Sequence, residues 1–168
     1  MADSLGFEPR SAYVVGTAMH RFDKQALLSV SRPGFARSRA IRFQEVDAAG
    51  IIFYPVVLEY CHDVYVEFLA VHATPLAEVL RERSWAAPIR HAEADYLMPL
   101  RFGDHVDVCL ALAHLERSEV TLGYRVLFHQ SAKVAAVAQT VHTFVALPQF
   151  KRTDIPDQLA RAFQTLHS

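Results

Sequence analysis

Residues 55–72 read PVVLEYCHDVYVEFLAVH. Pro55 suits the first turn of a helix, where a missing N–H costs no hydrogen bond. Glu59, Asp63 and Glu67 recur every four residues, His62 stands beside them, and nearly everything else is apolar. So narrow a polar stripe predicts a helix covered on most of its sides. Its valines lower helix propensity slightly. Thr74-Pro75 ends it, because a residue preceding proline is pushed out of helical geometry. LAEVLRER at 76–83 then predicts a short second helix.

On the N-terminal side the helix is preceded by VDAAGIIFYP at 46–55, which sets a lone carboxylate ahead of a flexible Ala-Ala-Gly step and four large side chains. Before that, RSRAIRFQEVD at 37–47 alternates as a strand does. Ile41, Phe43, Glu45 and Asp47 share one parity, so the apolar face is expected to end in two acids at the strand's exit. On the C-terminal side, strand-like runs cover 87–98, 105–116, 119–130 and 133–147. In the first, Ala92, Ala94 and Tyr96 form one face and His91, Glu93 and Asp95 the other. The last is apolar on both parities and is expected to be a central strand. Short connections imply an antiparallel meander, and a final helix is expected within 155–166.

One long helix against one antiparallel sheet of about five strands is an α+β layer arrangement. A helix so apolar needs more cover than one sheet gives, and a second copy alongside would supply it. The 168 residues are 52% hydrophobic and 21% charged, enough for one domain with a real core. A net charge of −1 argues against nucleic acid held by electrostatics. No apolar run is long enough to span a membrane. Cys61 and Cys109 lie in apolar stretches outside any CxxC or Cys/His cluster, and read as reduced residues of a cytoplasmic protein. No spacing suggests a metal site. Residues 1–35 read as an N-terminal extension, a mobile or loosely packed arm, with SAYVVG as a short strand and SRPGF as a turn; Met19 is a candidate natural start. The main domain is then 36–168.

The stretch IRFQEVDAAGIIFYPVVLEYCHDVYVEFL resembles the opening of hotdog-fold acyl-CoA thioesterases of the 4-hydroxybenzoyl-CoA thioesterase type. IRHAEADYLMPLRFGDHVDV is similar to that family's second landmark, a strand ending in a proline and a Gly-Asp turn. The resemblance spans roughly 37–150, and its specific part is DAAGIIFYP. It implies the hotdog fold, a long central helix wrapped by a curved antiparallel sheet. It implies a homodimer with two active sites at the subunit interface, usually paired into a homotetramer. It implies hydrolysis of an acyl-CoA thioester without metal or other cofactor.

By that resemblance Asp47 matches the catalytic aspartate. A thiol leaves as thiolate with little acid assistance, its pKa being near ~8.5, so one carboxylate can suffice. It can attack the carbonyl to give a mixed anhydride or act as base towards water; the residues do not separate these routes. The structural alternative is an Asx-turn. The backbone N–H of Tyr54, ahead of the helix, matches the oxyanion donor, and a helix start does offer unpaired N–H groups and partial positive charge. Gly50 is expected to let the backbone approach substrate. Glu45 is expected to orient water or raise the Asp47 pKa by repulsion, or to be a surface or interface acid.

In hydroxybenzoyl-specific relatives an aspartate on the helix contacts the ring hydroxyl; here His62 holds that position and Asp63 is one residue off, about 100° around the helix. His62 can bond a polar group of the acyl chain or simply pack. Arg117 is the candidate for the CoA phosphates, with Arg101 and Arg125 behind it. Phe53, Tyr54 and Trp85 can line an acyl pocket or the core, and His91 reads as structural. Three functions remain open: an aromatic or short-to-medium acyl-CoA thioesterase, a non-catalytic acyl-CoA-binding hotdog protein, and, more weakly, a dehydratase, whose usual active-site His the DAAG loop does not match.

Overall fold

A computed structural model describes residues 19–31 and 34–166. Helix α1 (Lys24–Leu28) is capped by the Asp23 carboxylate on the Ala26 N–H, and strand β1 (Phe35–Ala40) follows. Helix α2 spans Pro55–His72 and α3 spans Leu76–Glu82. Then come β2 (Trp85–Ala86), β3 (Ile89–Tyr96), β4 (His105–Leu115), β5 (Glu119–Phe128), β6 (Val134–Thr143), β7 (Val145–Ala146), β8 (Lys151–Arg152) and α4 (Asp157–Gln164). Five strands form one sheet in the order β1-β4-β5-β6-β3, every pair antiparallel. A small second sheet joins β2, β7 and β8.

The core forms where α2 lies on one face of the large sheet. Val56, Tyr60, Val64 and Phe68 make one buried row and Val57, Cys61, Tyr65 and Leu69 a second. Two adjacent rows four residues apart make a wide apolar stripe, as the sequence pattern required. They pack against Val108, Leu110, Val120, Leu122, Tyr124 and Val126 of the sheet. Each fully buried side chain of this kind contributes about 1.5–3 kcal/mol of transfer free energy. β6 is central, between β5 and β3, as its apolar character implied. Both thiols are free and buried, and no helix among the described residues is long and apolar enough to cross a membrane.

One expectation is corrected. The strand expected over 37–47 stops at Ala40, and the chain turns through a 3₁₀ helix at Phe43–Glu45. Parity therefore fails beyond Ile41: Phe43 is exposed while Glu45 is buried. The cause is a reciprocal cap, in which the Glu45 side chain returns to the Arg42 backbone N–H. The described part of the N-terminal arm is packed on the sheet's other face. Gln139 clamps Phe22 through both its amide groups, at 2.9 Å each, and Thr121 donates to the His20 carbonyl. Leu27 occupies the notch above Gly123, where any Cβ would lie 2.7 Å from it. SAYVVG and part of SRPGF lie outside the described residues.

Candidate active site

The segment 46–54 is held by backbone bonds within itself and to neighbours outside it. The Asp47 N–H donates to the Ile51 carbonyl, Ile52 N–H to Leu100 and Phe53 N–H to Glu45, at 2.8–2.9 Å. The Gly50 N–H returns to the Asp47 carbonyl at 2.9 Å, and Gly50 sits at φ +74°. A Cβ there would meet no atom within 4 Å, so left-handed backbone, and not close approach by this chain's own atoms, calls for glycine.

Asp47 is exposed, and its Oδ1 accepts the Ala49 N–H at 2.8 Å. This is the Asx-turn of the structural alternative. The turn uses one oxygen; among the described residues Oδ2 has no partner. The side chain also borders a cleft of about 330 Å³ with Ile51, Ile52, Tyr54, Tyr96 and Leu97–Leu100. At the other end of this loop Tyr54 already has helical dihedrals. The Val56 N–H is taken by the Phe53 carbonyl, and Pro55 has none. The Tyr54 N–H has no acceptor among the described residues. It points from the start of an 18-residue helix, where the partial positive charge of the peptide dipoles concentrates. The Tyr96 hydroxyl donates to the Tyr54 carbonyl and fixes this residue from the neighbouring strand. Sequence parity put Tyr96 on one face of its strand with Ala92 and Ala94, but nothing local marked it as a partner of the loop.

Glu45 faces inward, 6% exposed. Its two oxygens accept four hydrogen bonds: the Arg42 N–H at 2.7 Å, the Arg42 guanidinium at 2.9 and 2.6 Å, and the Tyr60 hydroxyl at 2.6 Å. Burial pushes its pKa up, but the bonds from Arg42 and Tyr60 outweigh this and hold it below the ordinary carboxylate value. With its acceptor sites occupied, Glu45 anchors the loop to α2 and is not presented to water beside Asp47.

The profile of the thioesterase-like superfamily matches residues 41–163. The chain belongs to this superfamily. A 1,4-dihydroxy-2-naphthoyl-CoA hydrolase of Synechococcus elongatus is 34% identical over 122 residues, 72% of this chain and 88% of that protein. One from Thermosynechococcus vestitus is 32% identical over 121 residues, 72% and 82% of the two chains. The crystal structure of a 1,4-dihydroxy-2-naphthoyl-CoA thioesterase from Synechocystis superposes with a TM-score of 0.73 at 27% identity, covering 77% of this chain and 95% of that one. The α+β sheet-and-helix layers are those of the hotdog thioesterases, and the chain is an enzyme of the thioester hydrolase class.

Elsewhere on this thioesterase the expected residues separate. Phe53 is 48% exposed, edge-on to Tyr54 but outside the cleft lining. His62 stands at a second cavity, its ring 6.0 Å from that of Tyr65. Asp63 is turned to Arg39, 3.0 Å away, as expected for a residue one step around the helix. Arg117 pairs with Asp154 at 2.8 Å on the surface. Arg125 is corrected as a phosphate candidate: it is buried, and its guanidinium holds the Val30 carbonyl at 2.7 Å. Arg101 is exposed, with its N–H bonded to Asp104. His91 lies 3.2 Å from Glu93. Among the described residues no three His, Cys, Asp or Glu side chains gather as metal ligands.

Proposed function

We propose that this thioesterase hydrolyses an aromatic or short-to-medium acyl-CoA, with Asp47 as nucleophile or general base and the Tyr54 N–H as oxyanion donor. One observation carries the reading: a carboxylate oxygen without a partner and a helix-start N–H without an acceptor, both among the described residues, belong to residues bordering the same cleft. As nucleophile, Asp47 adds to the thioester carbon, the CoA thiolate leaves, and water cleaves the resulting anhydride and restores the carboxylate. As base, Asp47 takes a proton from water while the hydroxide adds to the same carbon. Both routes yield free acid and CoA, and in both the negative oxygen forms facing the Tyr54 N–H. Such a donor is worth about 3–4 kcal/mol to the transition state in a well-studied protease.

The names of the relatives support an aromatic acyl group. Gly50 serves by shaping the turn that presents Asp47, and Phe53 by flanking the cleft mouth beside Tyr54. Arg117 binds a nucleotide phosphate by exchanging Asp154 for it; an exposed pair of this kind is weak. β3 is an edge strand with Ile89 and Tyr96 exposed and Met98 just beyond it, which favours a homodimer along this edge, alone or as half of a tetramer. Two buried free thiols suit a reducing, cytoplasmic setting.

The test is free-thiol release from a panel of acyl-CoA esters by the wild type and Asp47→Asn. Turnover of at least one aromatic ester and its loss in the variant are expected. Turnover unchanged in the variant removes Asp47 from the mechanism. Tight binding of the esters without turnover marks a binding protein.

A further inference from the structure

β5 and β6 carry unbroken buried runs, residues 119–126 and 135–143. Strands buried on both faces need two covers, and α2 supplies one. The other is the arm, residues 19–31, on the opposite face of the sheet. The arm stands outside the stretch 41–163 that the superfamily profile matches.

The fit between arm and sheet is specific. Leu27 meets Leu112 and Val137 in an apolar cluster separate from the main core, with Phe22, Leu28 and Val30 packed around it. Three polar side chains of the outer face, Thr121, Arg125 and Gln139, are 8% exposed or less. Each has the arm's main chain as a partner: Thr121 donates to the His20 carbonyl at 3.0 Å, Arg125 to the Val30 carbonyl at 2.7 Å, and Gln139 holds both main-chain groups of Phe22. Along the sheet's edge Arg21 pairs with Glu93 and Lys24 with Asp95.

Apolar side chains pack against any apolar surface, but a buried hydroxyl, amide or guanidinium needs a partner of its own. A second sheet laid on this face cannot provide it, because main-chain carbonyls within a sheet lie in its plane and are taken by neighbouring strands. His20, Phe22 and Val30 lie in neither helix nor strand, so their carbonyls can turn towards the face they cover. The outer face is therefore matched to a single strap of irregular chain.

We infer that residues 19–31 act as a strap that occupies the outer face in place of a second copy of this chain. With the strap seated, copies associate only through other surfaces. With it lifted, Leu112 and Val137 join an exposed apolar patch that the same patch of a second copy covers. Thr121, Arg125 and Gln139 lose partners in that pairing, which makes it weaker than the strap and reversible by it.

The experiment weighs the full chain by light scattering over a dilution series, with the emission of anilinonaphthalene sulfonate reporting exposed apolar surface. Leu27→Asp puts a charge into the apolar cluster. Gly123→Val fills the notch under the strap, where a Cβ alone lies 2.7 Å from Leu27 and 3.2 Å from Phe22. Both variants are expected to reach twice the wild-type mass and, at high dilution, to raise dye emission several-fold. A synthetic peptide of residues 19–31 in excess is expected to return Leu27→Asp to the wild-type mass and to leave Gly123→Val as it was. Wild-type mass and emission in both variants overturn the strap. Raised emission at unchanged mass overturns the second copy as the excluded partner. A doubled mass in Leu27→Asp that the peptide does not reverse also overturns the inference, since a merely misfolded variant behaves in that way.

Discussion

The Asp47 loop and the Tyr65 cavity are built on the same contrast. In the loop, Glu45 accepts four hydrogen bonds while Asp47, two residues on, spends one oxygen on its own turn and keeps the other. In the cavity that Tyr65 lines, His142 has both nitrogens engaged while the neighbouring Tyr65 hydroxyl has no partner among the described residues. Each region pairs a saturated polar group, which holds structure, with an unsaturated one facing a concave surface. Spare hydrogen-bonding capacity, more than residue type, separates the two roles.

The sharpest break of this contrast is Asp47→Asn. It is expected to cost about 10³-fold in kcat/KM, as removal of a group acting directly on the reacting atoms does. Thermal unfolding is expected to shift by under about 1 kcal/mol, because Asn can keep the Ala49 turn. Loss of both activity and stability would merge Asp47 with Glu45.

Next in size is the pH response of His142. Burial lowers its pKa from 6.5 to about 4, so the unfolded chain binds the proton first as pH falls. Its stability contribution is complete above pH 6.5 and is lost progressively towards pH 4, amounting to roughly 3 kcal/mol. Denaturant melts across this range are expected to lose that slope in His142→Gln. Glu45→Gln is expected to cost about 2 kcal/mol, through weakened bonds to Arg42 and Tyr60. Because the Glu45 pKa is lowered, its contribution is present above the ordinary carboxylate pKa and lost as pH falls through the lowered folded value. The variant is expected to flatten that acid limb while keeping measurable turnover. The smallest effect is Gly50→Ala, about 1 kcal/mol by chemical denaturation, from placing a Cβ at positive φ where no neighbour clashes.

The helix at 55–72, the four later strands and the position of Asp47 were legible because each is written in local periodicity or in one contiguous motif. Reading 37–47 as one strand failed because alternation cannot see the Glu45 cap on the Arg42 N–H that turns the chain, or the Tyr60 bond that holds Glu45 inward. Arg125 looked like any surface cation until Val30, ninety-five residues away, supplied its partner. Nothing near Tyr65 in the chain shows that its hydroxyl lacks one.

What the amino-acid order determined alone was the layer arrangement, the superfamily and one carboxylate ahead of a helix start, since short-range pattern and backbone geometry suffice for these. Which polar groups are satisfied, and therefore which of two nearby acids faces the cleft and which hydroxyl is left open, was decided only when distant segments packed together. A hydrogen bond depends on distance and angle in space, and separation along the chain sets neither.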